Sequence, residues 1–227
     1  MGCYDTLFLV DKDFEITQKF RNNSLIFCVS ASNNYIYISR VESLLMMDLN
    51  FNPIKSSREL DKSYDHMSPR SIYFYKNYLY VCDLYNRSVE KWSEDLILMH
   101  TFAIDYSPLR IVINEKNSVC CVLTQNLYNC EDYFLFYNVN NFELIRRFVR
   151  DPSEVICSIS NLFLKYSWNY SAIYFYNQIG DEIGSFTTDF FKEIGDFDLL
   201  SLLVFDDNLL VVFESRLKIW KYSLNLN

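Results

Sequence analysis

Residues 68–92 read SPRSIYFYKNYLYVCDLYNRSVEKW. Two apolar runs, Ile72–Tyr75 and Tyr78–Cys82, are separated by Lys76 and Asn77 alone, which reads as a β-hairpin with the Asn in its turn. In the second run Tyr78, Tyr80 and Cys82 alternate with Leu79 and Val81, so the two sets face opposite sides of a sheet. Asp83 and Asn86 follow where the chain turns again. Their short polar side chains suit bonds to turn backbone, and Val89–Trp92 then supplies a third strand.

The same unit recurs along the chain. An Asn precedes an apolar strand at Asn34, Asn77, Asn117, Asn161 and Asn208, at intervals of 43, 40, 44 and 47 residues. Each is preceded by another strand-like run: Leu25–Ser30, Ile72–Tyr75, Ile111–Asn114, Val155–Ser160 and Leu199–Phe205. Third strands follow at Leu44–Leu49, Val89–Trp92, Tyr133–Tyr137, Ile173–Tyr176 and Leu217–Tyr222. A fourth strand follows most of them across polar turns that open at Asp48, Ser93, Asn138 and Asn177. A period of this length with four strands per unit predicts an all-β chain, a β-propeller of four-stranded antiparallel blades.

The expected organisation is one propeller domain over residues 1–227, with repeats at about 24–60, 68–104, 107–149, 154–189 and 196–227 and a partial blade at 4–20. In that reading Phe14–Phe20 serves as the outer strand of the blade ending near Tyr222, which would remove an open edge. The strand count leaves two alternatives: five blades plus an extra strand, or an incomplete six-bladed ring lacking two strands. Helical candidates are weak. Val41–Asp48 and Asp189–Ile194 are short and uncapped, and Phe190–Asp196 is long enough for one turn.

Composition bounds the function. Half of the residues are hydrophobic and 18% aromatic, which suits a sizeable core and excludes a disordered chain. The 21 basic and 29 acidic residues give a net charge of −8, which disfavours RNA as a partner because backbone binding needs clustered Lys and Arg. Seven Cys, an odd number with no CxxC pair, point to a reducing, cytoplasmic setting in which Cys28, Cys82, Cys120, Cys121 and Cys157 pack as small hydrophobes. No apolar run reaches the roughly 20 residues of a membrane-spanning helix.

The unit around Pro69 resembles the NHL repeat. The residues that carry the resemblance are Pro69, Ser71 and Ile72, then Leu79, Tyr80 and Val81, then Asp83, Asn86, Arg87 and Val89. The motif is complete only here: Arg40, Leu123 and Glu214 stand where Asp83 does. The resemblance implies a propeller that acts as a platform for another protein or, in some members, single-stranded RNA. A related branch forms metal-dependent lyases with His ligands facing the central cavity.

Against that background the candidate sites divide. Arg70 and Arg110 lie near loops entering a first strand, and Tyr85 and Arg87 lie between a second and a third. The resemblance implies that loops before the first strand face the channel where partners bind, and Arg and Tyr are favoured interface anchors. The only histidines are His66, in a polar loop, and His100, in an outer strand, so no metal site and no cofactor is expected. Asp181-Glu182 and Asp206-Asp207 read as solvated turn carboxylates, and the alternating Tyr and Phe as packing between blades. Met1–Thr6 matches the myristoylation pattern, with Gly2 as acceptor and Cys3 as a second acylation candidate, a lipid anchor of two chains. The sequence thus predicts a non-enzymatic, NHL-like module that binds another protein through its loop face. The alternatives are a propeller hydrolase or lyase with a cavity metal, and single-stranded RNA binding.

Overall fold

The Asn-to-strand repeat folds as a succession of antiparallel sheets in the computed structural model of the protein, which describes residues 4–10, 16–60, 67–125, 132–150, 155–159, 162–167, 172–187, 199–205, 208–213 and 219–223. The first sheet comprises β1 (Tyr4–Val10), β2 (Ile16–Ala31), β3 (Tyr35–Arg40), β4 (Ser43–Asp48) and β5 (Pro53–Ser56), followed by one helical turn, α1 (Ser57–Leu60). The second holds β6 (Pro69–Tyr75), β7 (Tyr78–Asp83), β8 (Ser88–Ser93) and β9 (Leu98–Ala103). The third is β10 (Ser107–Asn114), β11 (Val119–Gln125), β12 (Asp132–Asn138) and β13 (Leu144–Arg150). The fourth is β14 (Val155–Ile159), β15 (Leu162–Ser167), β16 (Ala172–Tyr176) and β17 (Glu182–Thr187), and the fifth β18 (Leu199–Phe205), β19 (Asn208–Phe213) and β20 (Ile219–Ser223). In each sheet neighbours in sequence are neighbours in space. The five expected repeats therefore correspond to five antiparallel sheets, and Val41–Asp48 contributes strand β4, not a helix. No helix among the described residues is long and apolar enough to cross a membrane.

The chain divides into two compact units, Met1–Ile111 with Leu123–Cys130, and Val112–Val122 with Glu131–Asn227. In the first unit the central strands are covered on both faces, and alternation decides which residue goes where. Tyr37, Leu44 and Met46 of the first sheet pack with Ile72, Leu79, Val81, Trp92 and Leu96 of the second, together with Met67. The Tyr37 ring stacks on Phe74 at 5.7 Å between centroids, and its hydroxyl donates to the Glu94 carbonyl at 3.1 Å. Ile26, Ile36, Ile38, Leu45 and Met47 form a separate cluster, against which Leu7, Phe20 and Phe51 pack.

That second cluster explains a departure from expectation. The segment before residue 20 does not complete the fifth sheet, whose described strands are β18, β19 and β20. Instead β1 pairs with the first part of the 16-residue strand β2, with Leu7 opposite Phe20 and Leu9 opposite Gln18, while Val29 and Ala31 pair farther along with Ile38 and Ile36 of β3. The physical reason is local. A hairpin closed by a handful of residues costs little loop entropy, and its apolar pair Leu7 and Phe20 settles against the first sheet. Phe14 lies outside the described residues, as does the stretch 190–196.

First strands are sheet edges, whose free backbone groups invite unwanted pairing. Here short side chains take up several of them. The Phe74 amide donates to Ser30 Oγ at 2.9 Å and the Ile111 amide to Ser71 Oγ at 3.3 Å. In the second unit Ser158 Oγ donates to the Ile113 carbonyl at 3.0 Å.

The turns follow two local rules. Between β6 and β7, Lys76 (φ 48°) and Asn77 (φ 66°) are both left-handed, the type I′ geometry that matches strand twist. Between third and fourth strands an Asx or Ser side chain caps the turn. Asp48 Oδ1 accepts the amides of Asn50 (2.9 Å) and Asn52 (2.8 Å), and Ser93 Oγ accepts that of Ile97 (3.1 Å). Asn138 Oδ1 accepts that of Asn140 (2.9 Å), and Asn177 Oδ1 those of Ile179 (3.0 Å) and Asp181 (2.9 Å). Each turn then bends through one left-handed residue: Phe51, Leu96, Phe142 or Gly180. Leu96 tolerates this strain because its side chain is fully buried in the core, and Phe142 because it stacks on Tyr137 at 4.7 Å.

Gly180 is held differently. At φ 81° a Cβ there would lie 2.9 Å from Phe148 Cε1 and 3.0 Å from Phe136 Cε2. Gly180→Ala is expected to destabilise by about 2 kcal/mol, combining left-handed strain with overpacking. Urea unfolding checks this, and a neutral effect would mean that the two rings yield freely.

Candidate functional site

One end of the second sheet is built from three chain passages. Pro69 at the start of β6 pairs with Asp83 at the end of β7, Asp83 pairs with Ser88 at the start of β8, and Ser88 pairs with Ala103 at the end of β9. The β7–β8 turn, Leu84–Arg87, projects from this end, and Asp83 holds it. Its carboxylate is fully buried. Oδ1 accepts the amides of Ser68 (3.0 Å), Tyr85 (3.0 Å) and Asn86 (3.1 Å), and Oδ2 accepts Asn86 Nδ2 at 2.8 Å. Leu84 N–H donates to the Ser68 carbonyl and Ile104 N–H to the Arg87 carbonyl, so the turn is stitched to the strands on either side. The expectation that a short polar side chain bonds turn backbone is met by Asp83; the Asn86 side chain bonds the Asp83 carboxylate instead.

The four sequence-selected residues take different places in this setting. Tyr85 stands on the turn with 71% of its surface exposed, beside exposed Arg87 at φ 49°. Arg70 occupies the bulge between the Pro69–Asp83 and Ser71–Cys82 pairs. Its guanidinium carbon lies 4.4 Å above the centre of the Phe27 ring, and its Nε is buried without a hydrogen-bond partner. Arg110 is half-buried on β10, next to the Ile111 amide that Ser71 receives. Tyr85, Arg87 and Arg70 thus share one end of the second sheet and Arg110 lies on the strand that follows. Of the four, Tyr85 and Arg87 stand outside the core.

Where the motif changes, the chemistry changes with it. Arg40, standing in the first sheet where Asp83 stands in the second, donates from Nε to Ser43 Oγ at 2.8 Å and from Nη2 to Ser56 Oγ at 2.9 Å. The turn is held by a donor side chain in place of an acceptor.

Below the same end lies a carboxyl that reading the sequence for motifs missed. Glu90 of β8 is buried, and its Oε2 accepts Trp92 Nε1–H at 2.9 Å. Loss of solvent, then the neighbouring Asp83 charge, push its pKa up to about 7, against the lowering effect of the Trp92 bond. Ser88 Oγ, two residues earlier on the same strand, is buried without a partner. The signal was present in the alternation: Ser88 and Glu90 share a strand face with Trp92, whose side chain is fully buried.

The remaining candidates stay apart from this end. His100 is exposed on β9 with its ring 4.3 Å from that of Phe102, and His66 lies outside the described residues. Among the described residues no three His, Cys, Asp or Glu side chains converge as a metal-binding group. Asp181 is a turn residue: Asn177 Nδ2 and Arg146 both bond its carboxylate and hold its pKa below the usual range. Asp206 and Asp207 lie outside the described residues, as do Gly2 and Cys3. Cys82, Cys120, Cys121 and Cys157 are buried thiols outside any disulfide, and burial pushes that of Cys120 up to about 12.

No known family's sequence pattern matches the chain, and no curated protein matches it. Solved structures do. The chain is similar to Kluyveromyces lactis Hsv2, at 11% identity and a TM-score of 0.61, over 92% of this chain and 71% of that one. It is similar to BamB from Moraxella catarrhalis at 10% identity and a TM-score of 0.58, over 92% of this chain and 64% of that one. Hydrazine synthase from Kuenenia stuttgartiensis matches at 10% identity and a TM-score of 0.55, over 97% of this chain and 60% of that one. Hsv2 and BamB are β-propellers, and with the five antiparallel sheets this likeness identifies the fold as a β-propeller. At such identities it carries the fold alone.

Proposed function

We propose that this chain is a non-catalytic, NHL-like propeller module of the cytoplasm that holds another protein on the end of the second sheet, with Tyr85 and Arg87 as the contacting anchors. The observation that supports this reading is the pairing of exposure with rigidity. Tyr85 is 71% exposed, yet the turn that carries it is pinned by the buried Asp83 through bonds to Ser68, Tyr85 and Asn86. A large aromatic beside an Arg, already ordered before binding, loses little entropy on contact and is the residue pair that most often dominates interface energy. Arg70 supports the surface from beneath, stacked on Phe27.

The test follows from this division of labour. Charge reversal at Arg70 would disturb the Phe27 stack, so the informative variant is Tyr85→Ala with Arg87→Glu, in the full chain. A photo-crosslinking amino acid at position 85 should give a specific protein adduct that the same group at Ile54, an exposed position on β5, does not. The double variant should lose at least about tenfold in affinity for that protein with unchanged circular dichroism. Equal binding by the variant, or identical adducts from both positions, would remove this surface from consideration.

A further inference from the structure

Beneath the β7–β8 turn two carboxyl groups are buried side by side, and among the described residues no cation stands between them. Asp83 is fully buried and Glu90 is 5% exposed. Asp83 pairs with Ser88 across β7 and β8, and Val81 with Glu90. Glu90 is therefore the diagonal neighbour of Asp83 on one face of the sheet, a separation of roughly 7–8 Å that long side chains span. The elements around that face bring no charge to it. Val81 and Trp92 pack with Tyr37, Leu44 and Met46 of the first sheet and with Met67. Ile72 of β6 lies opposite Val81 and Thr101 of β9 opposite Glu90, while Lys91 and His100, paired with each other, alternate to the other face. The nearby cations are engaged elsewhere: Arg40 with Ser43 and Ser56, Lys55 with the Asp95 carbonyl, Arg58 with Glu42, and Arg70 on the Phe27 ring. Arg87 is exposed on the turn. Burial, then the Asp83 charge, accordingly raise the Glu90 pKa to about 7.

We propose that Asp83 and Glu90 form a pH-operated latch on the β7–β8 turn, ordered while the Glu90 carboxyl is neutral and loosened when it ionises, so that a protein held there is released as pH rises. The release rests on the reading of Tyr85 and Arg87 as anchors; the latch itself does not. Two adjacent buried carboxylates without a cation are too costly to hold together, so one of them keeps a proton. Asp83 keeps its charge, because the amides of Ser68, Tyr85 and Asn86 and the Asn86 side chain all donate to it. Glu90 receives a single bond, from Trp92 Nε1, and keeps the proton. On ionising it needs further donors. Ser88 Oγ, two residues earlier on the same face, is buried and without a partner, and water must supply the rest. On the core side Val81 and Trp92 are fully buried, whereas Tyr85, Asn86 and Arg87 are exposed. The turn is the side that yields, and yielding breaks its bonds to Asp83. Entry of water with the turn left in place is the competing explanation, and the two differ at the turn amides.

The experiment is amide exchange with solvent, followed by NMR on the full chain at pH 6 and pH 8 and expressed as protection, so that the intrinsic pH dependence of exchange divides out. Protection at Ser68, Tyr85 and Asn86 should fall at least about tenfold in the wild type, the equivalent of one pKa unit of coupling between Glu90 and the turn. In Glu90→Gln it should stay level. The amides of Asn50 and Asn52 are the internal reference: Asp48 caps them, and its lowered pKa keeps it ionised throughout this range, so their protection should hold in both proteins. The wild type alone gives a second reading, because the ¹³C shift of the Glu90 carboxyl carbon should titrate with the same midpoint as the turn. Level protection in the wild type, an equal fall in Glu90→Gln, or a carboxyl midpoint that differs from that of the turn would overturn the proposal. Release is read separately, as the yield of protein adduct from the photo-crosslinker at position 85. It should fall by a similar factor from pH 6 to pH 8 in the wild type and not in Glu90→Gln. A turn that loosens while adduct yield holds would support the latch and remove Tyr85 as an anchor, so the two readings fail in different measurements.

Discussion

Replacing Asp83 by alanine should cost about 4 kcal/mol of stability, because three backbone N–H groups lose their one buried acceptor together. The amides of Ser68, Tyr85 and Asn86 all converge on Oδ1, and the Asn86 side chain donates to Oδ2. No other described side-chain oxygen is bonded to these three amides, and the carboxylate is fully buried. Asp83→Asn is the instructive companion. An amide oxygen keeps the three backbone bonds, but its NH₂ meets Asn86 Nδ2, donor against donor, so the loss should be about half as large. A further Asn86→Ala change should then be nearly neutral in the Asp83→Asn background and costly in the wild type. Urea unfolding of the set gives the coupling directly. A loss below about 1 kcal/mol for Asp83→Ala would show that water replaces the carboxylate and that the turn is not rigidly held, which would also weaken the case for Tyr85 as a preorganised anchor.

The second large effect is a dependence on pH that runs opposite to the usual carboxylate case. Glu90 has its folded pKa raised from an ordinary 4.5 to about 7 by burial and by Asp83. Between those values the folded state keeps a proton that the unfolded chain releases. The stabilisation is therefore complete below the unfolded pKa and is lost as pH rises through 7. Integrated from pH 5.5 to pH 8, the loss is about 2 kcal/mol. Glu90→Gln keeps an oxygen for the Trp92 indole and has no proton to lose, so it should be more stable than the wild type at pH 8 by about 3 kcal/mol, the full interval between the two pKa values. The difference between the two proteins isolates Glu90 from both histidines. It also isolates Glu90 from Asp5, Asp48 and Asp181, whose lowered pKa values put their own contribution at lower pH. Parallel stability curves for wild type and variant from pH 5.5 to 8 would mean that Glu90 is hydrated and titrates normally. Asp83→Asn should also flatten the wild-type curve, since the Asp83 charge is part of the cause.

These two side chains mark the limit of what motif reading reaches. Asp83 was identified from position alone, because a short carboxylate at a strand end answers to amides within three residues of it and one residue before its paired strand. The capped turns at Asp48, Ser93, Asn138 and Asn177 were legible for the same reason. Glu90 was not, although it lies within the same 25 residues. Its neighbours in the chain, Val89 and Lys91, say nothing about solvent, and the acid is buried because the first sheet and the second close over that strand face. Arg70 makes the same point from the other side. An Arg beside a loop reads as a surface charge, whereas its guanidinium is stacked on Phe27, 43 positions earlier in the chain.

By itself, then, the amino-acid sequence determined the period, the hairpins, the strand order within the second, third and fourth sheets and the chemistry of the turns, all of which depend on hydrogen bonds between residues close along the chain. Tertiary structure alone decided where β1 and the start of β2 pair, which carboxyl is deprived of water, and which Arg is structural. Each of those outcomes depends on which sheet face or edge meets another surface and which meets solvent. That competition is settled by burial among residues tens of positions apart, and no local pattern records its result.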